Sequence, residues 1–280
     1  MTDREVKRAF FLITENRFHT TYLIDKWMKA FGSENDFKGI MIRGNKNDAS
    51  LKDKLSTLPS LTIGDLEEIY GELSNAEKEM IMTYGVPKNH LHYHNNVILA
   101  GEDLNSKETK NWLESVVRQF DKVVFFIFLD VMLEDWWIEL TKGQIINAHS
   151  AVLPFARGMN AIESMAYKGD IEEFKKSVGA SVHFIDNGID TGPILIATRI
   201  TNPFLYRSLG DVKGACYQLA FDLLIHQASK IHRFKEKEFV GISPDKSMIG
   251  PVFYSKHFSN EIRKIAEFNY LNMKKEVTTV

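Results

Sequence analysis

Two polar side chains near the middle of this 280-residue sequence have the types and the spacing that acid and base chemistry requires. Asn147 and His149 are two positions apart in the apolar segment that begins at Ile145. If a strand continues through both residues, their side chains share one face, because side chains alternate along a strand. Later in the chain, Asp190 lies in a loop, residues 186–193, in which glycines bracket two carboxylates. We therefore expect an amide, an imidazole and a carboxylate in one site.

The segment after His149 contains residues that shape a loop. Pro154 and Gly158 force the backbone to turn and allow it to approach a ligand, before a helix predicted at residues 159–167. Arg157 either binds an anionic group of a substrate or holds this loop, and both interpretations stay open. His183 either supports the site or is a core histidine with hydrogen bonds of its own.

Alternating strands and helices must position these residues. Apolar runs predict strands at residues 9–14, 39–42, 97–100, 123–129, 145–148, 180–185 and 194–198. Apolar residues at three- and four-residue steps predict helices at residues 20–31, 67–82, 106–119, 159–167 and 210–234, and one capped by Ser259 that ends near Leu271. This order predicts an α/β fold with a Rossmann-like open, mostly parallel sheet flanked by helices. Residues 123–129 form an uninterrupted apolar run, which is typical of a central strand.

Composition restricts the classes of partner. The 35 Lys and Arg residues nearly balance the 37 Asp and Glu residues, which disfavours nucleic acid as a ligand. The single cysteine, Cys216, allows neither an intramolecular disulfide nor a thiolate zinc cluster, and it fits a cytoplasmic protein. No apolar run approaches the roughly 20 residues that a membrane-spanning helix needs. The N-terminus is unlike a signal peptide.

Three histidines, His90, His92 and His94, alternate in one polar segment. On an extended backbone their imidazoles would share a face, where they could bind a metal ion or remain solvated beside a substrate. No carboxylate or thiolate partner is adjacent in the sequence, so we expect no metal.

The order of residues between positions 147 and 192 resembles the folate-dependent formyltransferase superfamily, whose catalytic core is that of glycinamide ribonucleotide transformylase. The matching residues are Asn147, His149, Leu153, Pro154, Arg157, Gly158, Val182, His183, Asp190 and Gly192. The resemblance covers residues 123–200 well. Ser150 replaces a proline usual in the family, and Ala151-Val152 replaces Ser-Leu, which alters the loop and spares the polar side chains.

The resemblance implies transfer of a formyl group from 10-formyltetrahydrofolate to the amine or hydroxylamine of a small soluble metabolite. It implies that Asn147 donates a hydrogen bond to the formyl oxygen and that His149 polarises or protonates that oxygen. Asp190 would orient His149 and help to remove the proton of the nucleophile.

The resemblance also implies a binding site for the donor. The pterin would be held, mainly by backbone groups, at Leu129, Asp130, Val131, Leu133, Ile185, Asp186, Asn187 and Gly188. We expect both of these loops at the carboxyl ends of the strands. Arg157, His183 and Asn16 would support the substrate or the loops. Residues 1–202 would form the catalytic domain, and residues 203–280 a helical extension packed on it.

Three members of the family are disfavoured as models for the acceptor because the sequence lacks a motif or domain that each of them carries. The purine enzyme of the family holds a substrate phosphate on a Gly-rich loop after its first strand, whereas residues 14–19 here contain no glycine and include Glu15. The methionyl-tRNA enzyme carries a β-rich second domain and a basic surface, but residues after Pro203 look helical. The deformylating hydrolase carries an N-terminal regulatory domain, for which the early first strand leaves no room.

The residues around Arg157 resemble the hydroxyornithine formyltransferases of siderophore biosynthesis more closely than the sugar enzymes. Hydroxyornithine is therefore the favoured acceptor, and a nucleotide-linked amino sugar is the alternative. A folate-binding homologue without turnover is a second alternative. The expected partners are a small amine and no nucleic acid or membrane, and a homodimer stays open.

Overall fold

The computed structural model describes residues 6–44, 62–87, 97–234 and 239–279. Seven of the described strands form one sheet, in the order β3-β2-β1-β4-β5-β7-β8. These strands are β1 (Arg8–Glu15), β2 (Phe37–Arg43), β3 (Val97–Ala100), β4 (Lys122–Phe128), β5 (Ile145–His149), β7 (Gly179–Phe184) and β8 (Ile194–Arg199). A second, two-stranded sheet pairs β6 (Arg157–Gly158) with β9 (Val252–Phe253).

The sheet is mostly parallel. The first five strands in the chain all run in one direction, with β4 in the middle of the sheet. In contrast, β7 is antiparallel to both β5 and β8. The predicted open, mostly parallel α/β architecture is confirmed.

Helices flank the sheet. They are α1 (Thr20–Phe31), α2 (Ile63–Tyr70), α3 (Asn75–Tyr84), α4 (Lys107–Gln119), α5 (Asp135–Thr141), α6 (Ala161–Lys168), α7 (Ile171–Ser177), α8 (Leu209–Arg233) and α9 (Asn260–Thr278). The prediction of one helix over residues 67–82 is wrong. Gly71, with φ of +79°, follows the end of α2, and Ser74 begins α3 with a capping box to Glu77. Helix α7, whose cap is Asp170, was not predicted.

Both faces of the sheet are buried. Phe126 of β4 packs with Trp27 of α1 and Phe221 of α8 in one core cluster. Phe125, its neighbour in β4, packs on the opposite face with Trp137 of α5, with ring centroids 6.0 Å apart. Strand β4 is therefore covered on both sides, as its continuous apolar sequence predicts.

The C-terminal helices share the core of the sheet. Helix α8 contributes Phe221 and Leu224 to the cluster beneath β1 and β4, and Cys216 to a third cluster with α6 and α9. Tyr270 of α9 donates hydrogen bonds to the carbonyl oxygens of Pro203 and Tyr206, at 3.0 and 2.8 Å. The boundary at residue 203 remains a proposal about chain organisation.

One prediction, the face shared by His90, His92 and His94, falls outside the described residues. Within the described ranges, no helix is both long and apolar enough to cross a membrane. In that same part of the chain, no group of three or more His, Cys, Asp or Glu side chains is placed to hold a metal ion.

Candidate active site

Strands β5 and β7 bring polar side chains to one face of the sheet. Asn147 and His149 share a face of β5, and His183 of β7 lies opposite Asn147 in the antiparallel ladder. Asn147 Nδ2 lies 3.1 Å from His183 Nε2, and His183 Nδ1 lies 2.8 Å from the carbonyl oxygen of Phe184. Because a carbonyl oxygen only accepts, Nδ1 of neutral His183 carries the proton and Nε2 accepts from the amide of Asn147.

Asp190 joins this cluster from the loop between β7 and β8. Its Oδ1 lies 3.4 Å from His183 Nε2, and its Oδ2 lies 3.5 Å from His149 Nδ1. The backbone N–H of Gly158 donates a 2.7 Å hydrogen bond to Oδ2. The backbone φ of Asp190 is +50°, in the left-handed region that Asp tolerates better than most residues. The carboxylate is thus held between two imidazoles.

The loop that carries Asp190 begins at the other end of β5 from His149. Since β7 is antiparallel to β5, the loop leaves β7 beside Ile145, where the N–H of Ile185 donates a 3.1 Å hydrogen bond to the carbonyl oxygen of Ile145. The expected position of this loop, at the carboxyl ends of the parallel strands, is therefore corrected. It returns toward His149 and covers the site.

Burial and charge oppose each other in the pair of His149 and Asp190. Burial lowers the pKa of His149 and outweighs the carboxylate of Asp190, which raises it. Burial alone would raise the pKa of Asp190, but the two histidines and the Gly158 N–H outweigh burial, so this pKa lies well below its usual range. At neutral pH the pair is therefore a neutral imidazole beside an ionised carboxylate.

The two ring nitrogens of His149 have different partners. Nε2 lies 3.0 Å from the carbonyl oxygen of Ala156 and must donate to it, so Nε2 carries the proton of the neutral ring. Nδ1 then presents a lone pair toward Asp190. This arrangement can accept a proton at Nδ1, because Asp190 stabilises the imidazolium that forms.

Arg157 contacts backbone rather than side chains. Its Nη1 donates to the carbonyl oxygen of Ile189 at 3.3 Å, and its Nη2 donates to that of Gly250 at 3.0 Å. The guanidinium thus connects the loop that carries Asp190 with the segment that precedes β9. Strand β9 in turn pairs with Arg157 and Gly158.

The apolar residues of the two expected folate loops lie against one cluster. Leu129, Val131 and Leu133, which follow β4, are half-buried, as is Ile185 after β7, and all four pack on the core beside α4 and α5. Asn105 holds the first loop, since its Nδ2 donates to the carbonyl oxygen of Met132 and its Oδ1 accepts from the N–H of Glu134, at 3.0 and 2.9 Å.

The polar residues of these loops have other contacts. Asp130 is paired with Arg43 and lies 3.9 Å from Arg17. Asp186 accepts hydrogen bonds from the N–H of Gly188 and the hydroxyl of Thr191, at 3.0 and 2.6 Å, so its carboxylate shapes its own loop.

Two further residues predicted to belong to the site, Asn187 and Asn16, lie outside the contacts described above. Asn187, like Gly188, is exposed. Asn16 lies at the end of β1, where its N–H donates to the carbonyl oxygen of Arg43 at 2.9 Å, away from the His149 cluster.

Sequence reasoning did not identify the backbone atoms that complete the site. The carbonyl oxygens of Ala156 and Gly250 and the N–H of Gly158 carry no signal in residue type. Asn105, in the loop between a predicted strand and a predicted helix, was also missed.

The sequence of this chain is similar to those of known formyl-group enzymes. The family model described as formyl transferase matches residues 63–202. The formyltetrahydrofolate deformylase of Bacillus subtilis is 28% identical over 134 residues, which cover 46% of this chain and 40% of that protein. The deformylase of Haemophilus influenzae is 25% identical over 171 residues, 58% of this chain and 56% of that protein. The matches thus span about half the length of these curated relatives.

A solved structure shows the same fold. The N-formyltransferase of Helicobacter canadensis, in complex with folinic acid and dTDP-3-aminofucose, aligns with a TM-score of 0.56 at 12% identity. The alignment covers 94% of this chain and 80% of that one. The family match spans half of the chain, including Asn147, His149, His183 and Asp190. This chain belongs to the formyl transferase family.

Proposed function

We propose that this protein transfers a formyl group from 10-formyltetrahydrofolate to an amine or hydroxylamine of a small soluble acceptor. The observation that carries the proposal is the contact network of Asn147, His183, Asp190 and His149, in which each member lies within 3.5 Å of the next. It combines a hydrogen-bond donor, a neutral base and an ionised carboxylate.

Asn147 is the group that would bind the formyl oxygen. One amide hydrogen is used on His183, and the second remains for a substrate oxygen. A fixed donor of this kind stabilises negative charge that develops on the oxygen during attack by the amine.

His149 would accept the proton that the attacking nitrogen loses. Its Nε2–H is committed to Ala156, so Nδ1 is the atom that can take a proton. Transfer to Nδ1 creates an imidazolium 3.5 Å from Asp190, whose negative charge offsets the new positive charge. This role is opposite in direction to the protonation of the formyl oxygen that the resemblance implies.

The expected folate loops, one after β4 and one after β7, carry groups suited to the donor. Their half-buried apolar residues Leu129, Val131, Leu133 and Ile185 offer a surface for an aromatic ring, and loop backbone groups are available for its polar edge. When bound, the folate supplies the formyl group. The residues of this chain hold the ring, bind the formyl oxygen and accept the proton.

The identity of the acceptor is part of the proposal. Hydroxyornithine stays favoured, which would place the protein in siderophore biosynthesis in the cytoplasm. A nucleotide-linked amino sugar is the alternative, since a structural neighbour is in complex with dTDP-3-aminofucose. Water is a third acceptor to include, because two relatives are named as deformylases.

The test is an absorbance assay for release of tetrahydrofolate from 10-formyltetrahydrofolate. It is run with hydroxyornithine, ornithine, lysine, several nucleotide-linked amino sugars, and no acceptor. The proposal predicts release that depends on one amine, with the formylated amine identified by mass spectrometry. Release without any amine would instead show hydrolysis. Heat stabilisation by folate without any release would favour a folate-binding homologue that has lost turnover.

A further inference from the structure

A second polar cluster lies where β1, β2 and β4 end, and the network around Asn147 does not include it. Glu15 ends β1, Arg43 ends β2 and Asp130 follows β4. Arg43 Nη2 donates to Glu15 Oε2 at 3.1 Å and is also paired with Asp130. Its Nη1 donates to the carbonyl oxygen of Glu102, after β3, at 3.3 Å. One guanidinium thus fixes the position of both carboxylates.

His19, in the turn that leads into α1, faces Glu15 from the other side. The carboxylate Oε1 of Glu77 accepts from the backbone N–H of His19 at 3.1 Å and lies 3.0 Å from His19 Nδ1. When the ring is neutral, Nδ1 therefore carries its proton and Nε2 keeps a lone pair. The ring stacks on Tyr217 of α8, with centroids 4.4 Å apart and planes 8° apart, which fixes its orientation.

The remaining nitrogen of His19 and the second oxygen of Glu15 face each other. His19 Nε2 lies 3.8 Å from Glu15 Oε1, beyond hydrogen-bond distance, and no described side chain donates a hydrogen bond to Nε2. Both side chains are largely buried, with 12% and 6% of their surfaces exposed. A lone pair and a carboxyl oxygen at this separation can share one donor that binds both, and an ammonium group carries three donors.

A phosphate fits the same place poorly. It brings only acceptors and negative charge toward Asp130 and Glu77, and the guanidinium of Arg43 is already paired with Glu15 and Asp130. The exposed Arg17 lies 3.9 Å from Asp130. The end of β1 therefore favours a cation and disfavours the diphosphate of a nucleotide-linked sugar.

We infer that Glu15 and His19 bind an ammonium group of the acceptor, so that the acceptor is a small amine with a cationic group in addition to its nucleophilic nitrogen. This inference rests on the proposed function, because it assigns one end of the acceptor for the same reaction.

The sheet sets the distance between the two ends of that acceptor. Thr14 pairs with Phe128, and Ile127 pairs with Asn147, so one strand, β4, separates β1 from β5. Two strand spacings amount to roughly 10 Å. An acceptor whose two nitrogens are joined by a chain of several carbon atoms can therefore reach from Glu15 to the amide of Asn147.

The protonation of Glu15 gives this assignment a measurable consequence. Burial and the adjacent carboxylate of Asp130 raise the pKa of Glu15 to about 8, against the opposing effect of Arg43. The other charged or titratable groups around it are His19, with Glu77 and Tyr217 behind that ring, and Arg17 beside Asp130. Binding of an ammonium group favours the carboxylate and should release a proton below pH 8.

The experiment measures the affinity of the full chain for four probes by calorimetry: hydroxyornithine, ornithine, 1,4-diaminobutane and thymidine diphosphate. Folinic acid is titrated separately. We expect at least one ammonium-bearing probe to bind, with proton release, and thymidine diphosphate to bind more weakly. Glu15→Gln should weaken binding of that probe about tenfold or more, because it removes a charge-assisted hydrogen bond.

Two further variants control for folding and for charge. His19→Gln should also weaken the same probe, while Glu172→Gln, at an exposed position on α7, should leave it unchanged. Binding of folinic acid by each variant shows that it is folded. If wild type binds none of the three amines, or binds them as tightly after Glu15→Gln, the inference is overturned. If wild type fails to bind folinic acid, the proposed function itself fails.

Discussion

His149 is the residue on which the chemistry of the site depends most. Its neutral state at physiological pH results from burial, which outweighs the carboxylate of Asp190. The motif around Asn147 and His149 predicted which side chains meet. It could not predict which ring nitrogen is free, because that depends on the carbonyl oxygen of Ala156, and backbone atoms are the same in every residue.

Replacing Asp190 by Asn should lower kcat about 100- to 1000-fold, because the imidazolium of His149 then forms without a neighbouring negative charge. Affinity for folinic acid should be unchanged, since the fold and the apolar residues of the loops remain. Steady-state kinetics and calorimetry measure the two quantities. Glu172→Gln, at an exposed position on α7, is the control. Equal loss in both variants would contradict the assigned role.

The pKa of His149 can be measured without turnover. We expect it below the ordinary histidine value of about 6.5, and lower still in Asp190→Asn, because Asp190 is the group that raises it. The rate should accordingly rise with pH through this pKa, as the ring loses its proton. An NMR titration of the imidazole protons, assigned with His149→Gln, gives the value. A pKa above the ordinary value in wild type would rule out a neutral base at neutral pH.

At the level of strands and helices, sequence patterns predicted the positions of the strands but not their directions. Apolar runs located all seven strands of the main sheet, since burial on two faces leaves a continuous signal. The same runs contain no information on strand direction, so the antiparallel entry of β7 and the return of its loop were not predicted. The cluster of Glu15, His19 and Arg43 was missed because Arg43 is distant in sequence from the other two, and the pairing of β1 with β2 brings it to Glu15.

The pairing of β6 with β9 depends on Gly158. Its φ is +82°, and a Cβ there would overlap the carbonyl oxygen of Phe253. Gly158→Ala should therefore lower stability by more than the roughly 1–2 kcal/mol that a left-handed backbone costs by itself, and should displace the N–H that binds Asp190. Gly169→Ala is the control, since its φ is +72° but only the side chain of Asn269 is nearby, at 3.6 Å. Thermal denaturation compares them, and equal losses would show that the overlap has no effect.

At the scale of the whole molecule, α8 contributes to two of the core clusters formed by the described residues. The composition and the alternation of strands and helices predicted the class of fold, but they could not show that α8 lies in the core of the sheet. That helix packs mainly on β7 and β5. Its residues Phe221 and Leu224 are fully buried in the same cluster as Phe126, and Phe221 contacts Phe128 of β4, with ring centroids 5.0 Å apart.

Residues 1–202 should consequently not fold alone. Loss of α8 uncovers the apolar face of β7 and β5, on which this helix packs. A single Phe221→Ala change should already cost about 3–5 kcal/mol of unfolding free energy. Circular dichroism of the truncated chain and urea unfolding of the variant measure the two effects. Leu205→Ala, whose side chain is 78% exposed, should cost little. A cooperative thermal transition in the truncated chain would show that the first part is an independent domain.

The most direct test of the account is formyl transfer itself, followed by mass spectrometry of the acceptor in the presence of 10-formyltetrahydrofolate. Wild type should formylate one amine of the panel, while Asn147→Ala should lose about 100- to 1000-fold in rate and still bind folinic acid. A wild-type protein that binds folinic acid but formylates none of the amines would contradict the account, as would an Asn147→Ala variant that keeps the wild-type rate.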